Sequence, residues 1–154
     1  MPRGQWDTNG KALTTASIDG LPESRQTELA RLRREFMLSF CRPAEERAQY
    51  ASLERILEKS AEKRLRVVLV TPPTSPYFYD IYTSEYDDGF QGDIASLLAA
   101  YPDAVWLDYT GDPRFNELTL FMDTDHLNVL GSAVFMKAFS DDLQARGIDI
   151  RALP

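Results

Sequence analysis

Apolar positions recur at helical spacing in some stretches of the chain and run unbroken in others. Leu29, Leu32, Phe36 and Phe40 stand three or four residues apart, which predicts a helix over residues 24–41 with that stripe on the core. Arg42-Pro43 interrupts the pattern, because the residue before a proline avoids the helical region. Pro43 suits the first turn of a second helix, which reaches about residue 63 and carries Leu53, Ile56, Leu57 and Ala61 on one face. Arg66-Val67-Val68-Leu69-Val70-Thr71 is a short apolar run rich in β-branched residues and bounded by Pro72-Pro73, the signature of a buried parallel strand. Residues 74–92, with Tyr77, Phe78, Tyr79, Tyr82 and Tyr86, read as a long loop with a helical piece. A helix follows over residues 91–100, then a second buried strand over 104–108 and a polar loop over 109–116. The last helix covers residues 129–146, with Phe135, Met136, Phe139 and Leu143 for the core and Gly147 as its C-cap.

This order of elements is that of an α/β protein, a parallel sheet with flanking helices. Residues 1–23, rich in Gly, Pro, Thr and Asp, form an irregular N-terminal segment, and residues 24–154 form the α/β domain. Only two strands are clear, which is a thin sheet. Further strands must come from weaker segments or from another chain. The unalternating run of residues 67–70 wants burial on both faces, so the chain is expected to form a homo-oligomer or to associate with another chain.

Composition narrows the function classes. The 154 residues, 44% hydrophobic and 27% charged, suit one globular domain able to bury a core without disulfides or metal. The net charge of −7 argues against nucleic acid or an anionic membrane surface as the main partner. The densest basic group, Arg31, Arg33 and Arg34, reads as a solvated helix face. The single cysteine, Cys41, lies among apolar residues and reads as a buried structural thiol. No apolar run is long enough for a membrane segment, and the first residues lack the layout of a signal peptide. Taken as given, the chain is cytoplasmic. As a fragment of a longer exported protein it would be periplasmic or extracytoplasmic.

The chain has one histidine, so imidazole chemistry falls on His126, in Asp123-Thr124-Asp125-His126-Leu127-Asn128 ahead of the last helix. Loops after strand ends carry the ligands in open α/β sheets. An aspartate three positions before a histidine can turn back to accept the Nδ1 proton and leave Nε2 free, with Asp125 the second candidate for that role. The plain structural reading is a surface loop in which Asp125 or Asn128 caps the helix. Ser75 follows a strand on the same expected sheet edge, but lies between prolines rather than in a sharp strand-to-helix elbow, and reads as a rigid loop residue. Tyr77 and its neighbouring tyrosines could stack on a sugar ring or simply pack. Asp80, Asp87, Asp88 and Asp93 lack the glycine-centred spacing of a calcium loop, so no metal site and no cofactor is expected.

The block from Phe121 to Ala133, with Asp123, His126, Leu127-Asn128, Gly131 and Ser132, resembles the closing block of SGNH (GDSL-like) hydrolases. Leu69-Val70-Thr71-Pro72-Pro73, Val105-Trp106-Leu107-Asp108-Tyr109 and Asp112-Pro113-Arg114-Phe115 resemble the segments leading into it. The resemblance covers about residues 45–146 and is nearest to the bacterial O-acetyltransferase and D-alanyl transfer branch. It implies a flavodoxin-like SGNH fold that is incomplete here. His126 would be the general base and acid, and Asp123 its orienting partner. Ser75, Tyr77, Asp125 and Asn128 are the further candidates for binding. No Gly-Asp-Ser-type strand and turn precedes residue 45, so the nucleophile and oxyanion hole of the family have no counterpart. The expected function is therefore an esterase or O-acyltransferase fragment acting on an acylated carbohydrate or small ester, nearly inactive in isolation. The alternatives are a non-catalytic SGNH-like module that binds a glycan or a protein partner, and a general α/β domain in which this block is only a helix entry.

Overall fold

The computed structural model describes residues 5–6, 12–13, 16–40, 43–85 and 89–148. Five helices are present among them: α1 (Glu23–Leu38), α2 (Pro43–Glu62), α3 (Pro76–Glu85), α4 (Gln91–Ala100) and α5 (Val129–Ala145). A short antiparallel ladder joins β1 (Gln5–Trp6) to β2 (Ala12–Leu13). The central sheet consists of β3 (Val68–Thr71) and β4 (Val105–Asp108), paired in parallel from Val68 against Val105 to Thr71 against Asp108. The molecule is thus α/β with a small two-stranded parallel sheet, and the C-terminal ends of both strands lie at one edge. The Thr71 hydroxyl accepts from the Trp106 indole at 3.0 Å, and its carbonyl accepts from Tyr109 N at 3.0 Å, fixing that edge.

Successive side chains of a strand point to opposite faces, and the core divides accordingly. Val68, Val105 and Leu107 pack with Ile18, Tyr109, Phe115, Phe121, Ala138 and Leu143, on the side covered by α5. Val67, Leu69 and Trp106 pack with Leu57, Ile94 and Leu97, on the side covered by α2 and α4. The unalternating run of residues 67–70 was expected to be buried on both faces; Val67, Val68 and Leu69 pack on these two sides, but Val70 is exposed.

Several expectations change. The helix α1 packs against α3 with Gln26 and Ala30 buried, so the expected core stripe lies outward: Phe36 is 55% and Phe40 62% exposed, and Leu32 is exposed as well. Ile56 of α2 and Met136 of α5 are likewise exposed rather than in the core. Hydrophobic spacing identifies a stripe but not the surface that covers it. The long loop expected over residues 74–92 contains α3, started by Ser75 and Pro76 as N-cap and first helical residue. Within the segment expected to be irregular, Ile18 is built into the core. Ile18 is buried and donates its N–H to the Phe121 carbonyl at 3.1 Å, and the Ser17 hydroxyl donates to the Leu118 carbonyl at 3.0 Å. The reading of Cys41 lies outside the described residues. No described helix is long and apolar enough to cross a membrane.

Candidate functional site

Between two short 3-10 turns (Pro113–Phe115 and Leu118–Leu120) and the start of α5, the chain makes a narrow loop closed by its own backbone. Phe121 and Leu127 form an antiparallel bridge, and Met122 N donates to the His126 carbonyl at 2.9 Å. Inside this loop Asp123 folds back. Its Oδ1 accepts from the backbone N–H of Asp125 at 3.1 Å and of His126 at 2.8 Å. The same carboxylate faces the imidazole, with Oδ1 2.9 Å and Oδ2 3.0 Å from His126 Nδ1. The short peptide of Asx-type turns therefore carries the aspartate–histidine pair: two backbone donors orient the carboxylate before the ring meets it. With Nδ1 engaged, Nε2 is the nitrogen left to take or give a proton, on a side chain that is 53% exposed.

Three contacts anchor this loop to the fold. The buried Thr124 offers its carbonyl to Ser75 N at 3.0 Å, tying the loop to the connection between β3 and α3. Asn128 caps α5 through Oδ1, which accepts from Gly131 N at 3.0 Å, while its Nδ2 donates to the carbonyls of Thr119 at 2.6 Å and Ala16 at 3.3 Å. Asp125, with a side chain only 12% exposed, takes a hydrogen bond from Arg33 Nε of α1 at 2.8 Å.

The structure thus brings Asp123, Asp125 and His126 together. Ser75 and Asn128, also candidates for binding, are buried and each caps a helix. Ser75 is 0% exposed and its Oγ accepts from Phe78 N at 3.4 Å, capping α3. Tyr77 is half-buried in the first turn of α3 and does not enter the hydrogen bonds of this loop. Its neighbour Tyr79 lies across Gly111, where an added Cβ would fall 2.6 Å from the ring, so this tyrosine packs. Asp123, Asp125 and His126 place ligand-type atoms within 4.8 Å of one another, but the guanidinium on Asp125 already occupies the charge a cation would need.

Sequence reasoning missed Arg33. The run Arg31, Arg33, Arg34 gave only the signal of a solvated face. Arg31 does pair along the helix with Glu35, whereas Arg33 crosses 92 positions to Asp125. It also missed a second cluster, in which the Arg114 guanidinium joins Asp112 at 2.7 Å to Asp142 at 2.8 Å and binds the loop after β4 to α5. Arg114 holds both carboxyls below their ordinary range. Burial first, then the neighbouring Asp142, pushes the Tyr109 phenol up to about 12. A cavity of about 430 Å³ lies against Tyr109, Arg114 and Asp142.

Comparison with family models, with curated proteins and with solved structures returned no match.

Proposed function

We propose that this chain is the closing part of an SGNH-type hydrolase or acyltransferase fold and that Asp123 and His126 are its orienting acid and its general base. The observation that carries the reading is the Asp123 carboxylate held by two backbone N–H groups and lying 2.9 Å from His126 Nδ1, at a loop tied to the connection that follows β3. In that role Nε2 takes the proton of an attacking hydroxyl and returns it to the leaving group, and the aspartate keeps the ring in the required tautomer. The substrate class is an ester or an acylated carbohydrate. Neither Ser75, sealed beneath the loop, nor a Gly-Asp-Ser-type turn supplies a nucleophile in this chain. A triad acts as a unit, so the isolated chain is expected to be nearly inert.

The test is hydrolysis of p-nitrophenyl acetate by the full chain beside an equal concentration of free imidazole. The expected result is a rate close to that of imidazole, lost in His126→Ala. Rapid turnover that also falls in Ser75→Ala would identify a nucleophile and overturn the near-inert reading. A rate indifferent to His126→Ala would remove the general base. The burial of Ser75 favours a second reading, in which the chain is a non-catalytic module of the same fold that binds a glycan or a partner protein. A glycan array giving His126-independent binding would support it.

A further inference from the structure

We infer that Arg33, on the N-terminal helix α1, is a positioning residue that selects which of two aspartates holds the His126 imidazole. The inference rests on the proposed role of the Asp123–His126 pair. His126 Nδ1 has two carboxylates within reach: Asp123 at 2.9 Å and Asp125 Oδ1 at 3.6 Å. A neutral ring has one Nδ1 proton to give. Without a counter-charge, Asp125 would compete for that proton and would also set a second negative group beside Asp123. Arg33 meets both problems at once. Its Nε donates to Asp125 Oδ2 at 2.8 Å, and the Thr124 hydroxyl lies 3.4 Å from Asp125 Oδ1. The pair is sheltered, Asp125 being largely buried, so solvent screens it less than a surface ion pair. The guanidinium is itself steadied by lying 5.6 Å from the centroid of the Phe36 ring. Asp123, by contrast, has only backbone N–H groups and the imidazole as partners among these contacts, and is the carboxylate left for the ring. The N-terminal helix lies outside residues 45–146, the stretch on which the SGNH resemblance rests.

The tautomer of His126 reads this selection without any catalytic assay. In the full chain with ¹⁵N-labelled histidine, at a pH where the ring is neutral, long-range ¹H–¹⁵N spectra distinguish a proton on Nδ1 from one on Nε2. Wild type is expected to carry it on Nδ1. Asp123→Asn is expected to lose that preference, because Arg33 keeps Asp125 occupied. Arg33→Met combined with Asp123→Asn is expected to regain it, because the freed Asp125 takes the ring. Asp125→Asn, alone or with Arg33→Met, is expected to match wild type. If the double variant behaves as Asp123→Asn alone, Arg33 selects nothing and the proposal falls while the Asp123–His126 pair stands. If Asp123→Asn leaves the spectrum unchanged, both fall together. Arg33→Ala, which favours helix, serves as the second variant should Arg33→Met lose its dispersed amide spectrum.

Discussion

Asn128 and Gly131 show how single residues hold the loop in place. Asn128 is buried and spends one atom on the helix cap and the other on two carbonyls. Aspartate caps a helix as well as asparagine does. Asn128→Asp therefore keeps the cap and removes only the donor facing Thr119 and Ala16, setting oxygen against oxygen. The expected loss is about 2 kcal/mol or more, measured by urea unfolding; a loss below about 0.5 kcal/mol would mean that the Nδ2 bonds contribute nothing. Gly131 is a matter of room rather than of backbone freedom. An added Cβ there would sit 2.1 Å from the Leu120 carbonyl oxygen and 2.8 Å from Leu127 Cδ2. Gly131→Ala must push α5 off the Leu118–Leu120 turn, at a cost of about 2–3 kcal/mol in the same assay. At this scale the sequence was legible where partners are close along the chain. Asp123 meets His126 across three positions and Asn128 caps its own helix. Arg33 and Asp125, and Ser75 and Thr124, meet only through the fold, and nothing in their local patterns announces it.

The elements were legible in proportion to how far their own residues define them. The β-branched run before Pro72 and the run ending at Asp108 declared both strands, and the parallel register pairs them as one unit. The helix α3 was less visible, because its aromatic residues give no clear polar face, although Ser75-Pro76 carries the chemistry of a helix start. The end of α2 departs from habit. Arg64 has φ 55°, and Leu65 N bonds back to the Ser60 carbonyl at 2.8 Å, a reversal in which glycine usually stands. The left-handed conformation costs a side chain about 1 kcal/mol, offset in part by the greater freedom glycine has when unfolded. Arg64→Gly is therefore expected to stabilise by about 0.5 kcal/mol, seen as a raised urea midpoint with unchanged slope. Arg114 joins two elements, and its contribution depends on pH. It holds Asp112 and Asp142 below their ordinary value of 3.8, so the folded chain binds fewer protons than the unfolded one in that range. The resulting stability is complete above the ordinary carboxyl range and is lost as pH falls through the lowered values. Arg114→Met should lower Tm at neutral pH by about 3 °C, the equivalent of about 1 kcal/mol after screening of a partly exposed guanidinium. The two melting curves should converge between about pH 4 and 2. Parallel curves across that window would assign the loss to packing on Tyr109 instead.

For the whole molecule, the question is what covers its apolar exterior. Both outer edges of the two-stranded sheet are without a strand partner among the described residues, and Val70 in the middle of β3 is exposed. Unpaired strand edges and contiguous apolar surface are the features that draw chains together. One such surface runs along α1 and the turn that follows it, where Leu32, Phe36 and Phe40 repeat every four residues and the last two rings meet edge to face at 4.9 Å. Single exposed hydrophobic residues are ordinary, but two on one helix face continued by a third in the turn beyond it form a patch. The net charge of −7 opposes association only weakly at physiological salt, because repulsion between separated charges is screened within about 8 Å. The chain is therefore expected to self-associate at micromolar concentration, and sedimentation velocity should show a dimer or larger species. Replacing Phe36 and Phe40 by lysine together should return it to a monomer while leaving the far-UV circular dichroism of the folded chain in place, since neither ring is in the core. A wild-type chain that sediments as a monomer would show that this stripe stays solvated. Association that persists in the double variant would move the contact to the sheet edge, where Val70→Lys is the next substitution to make.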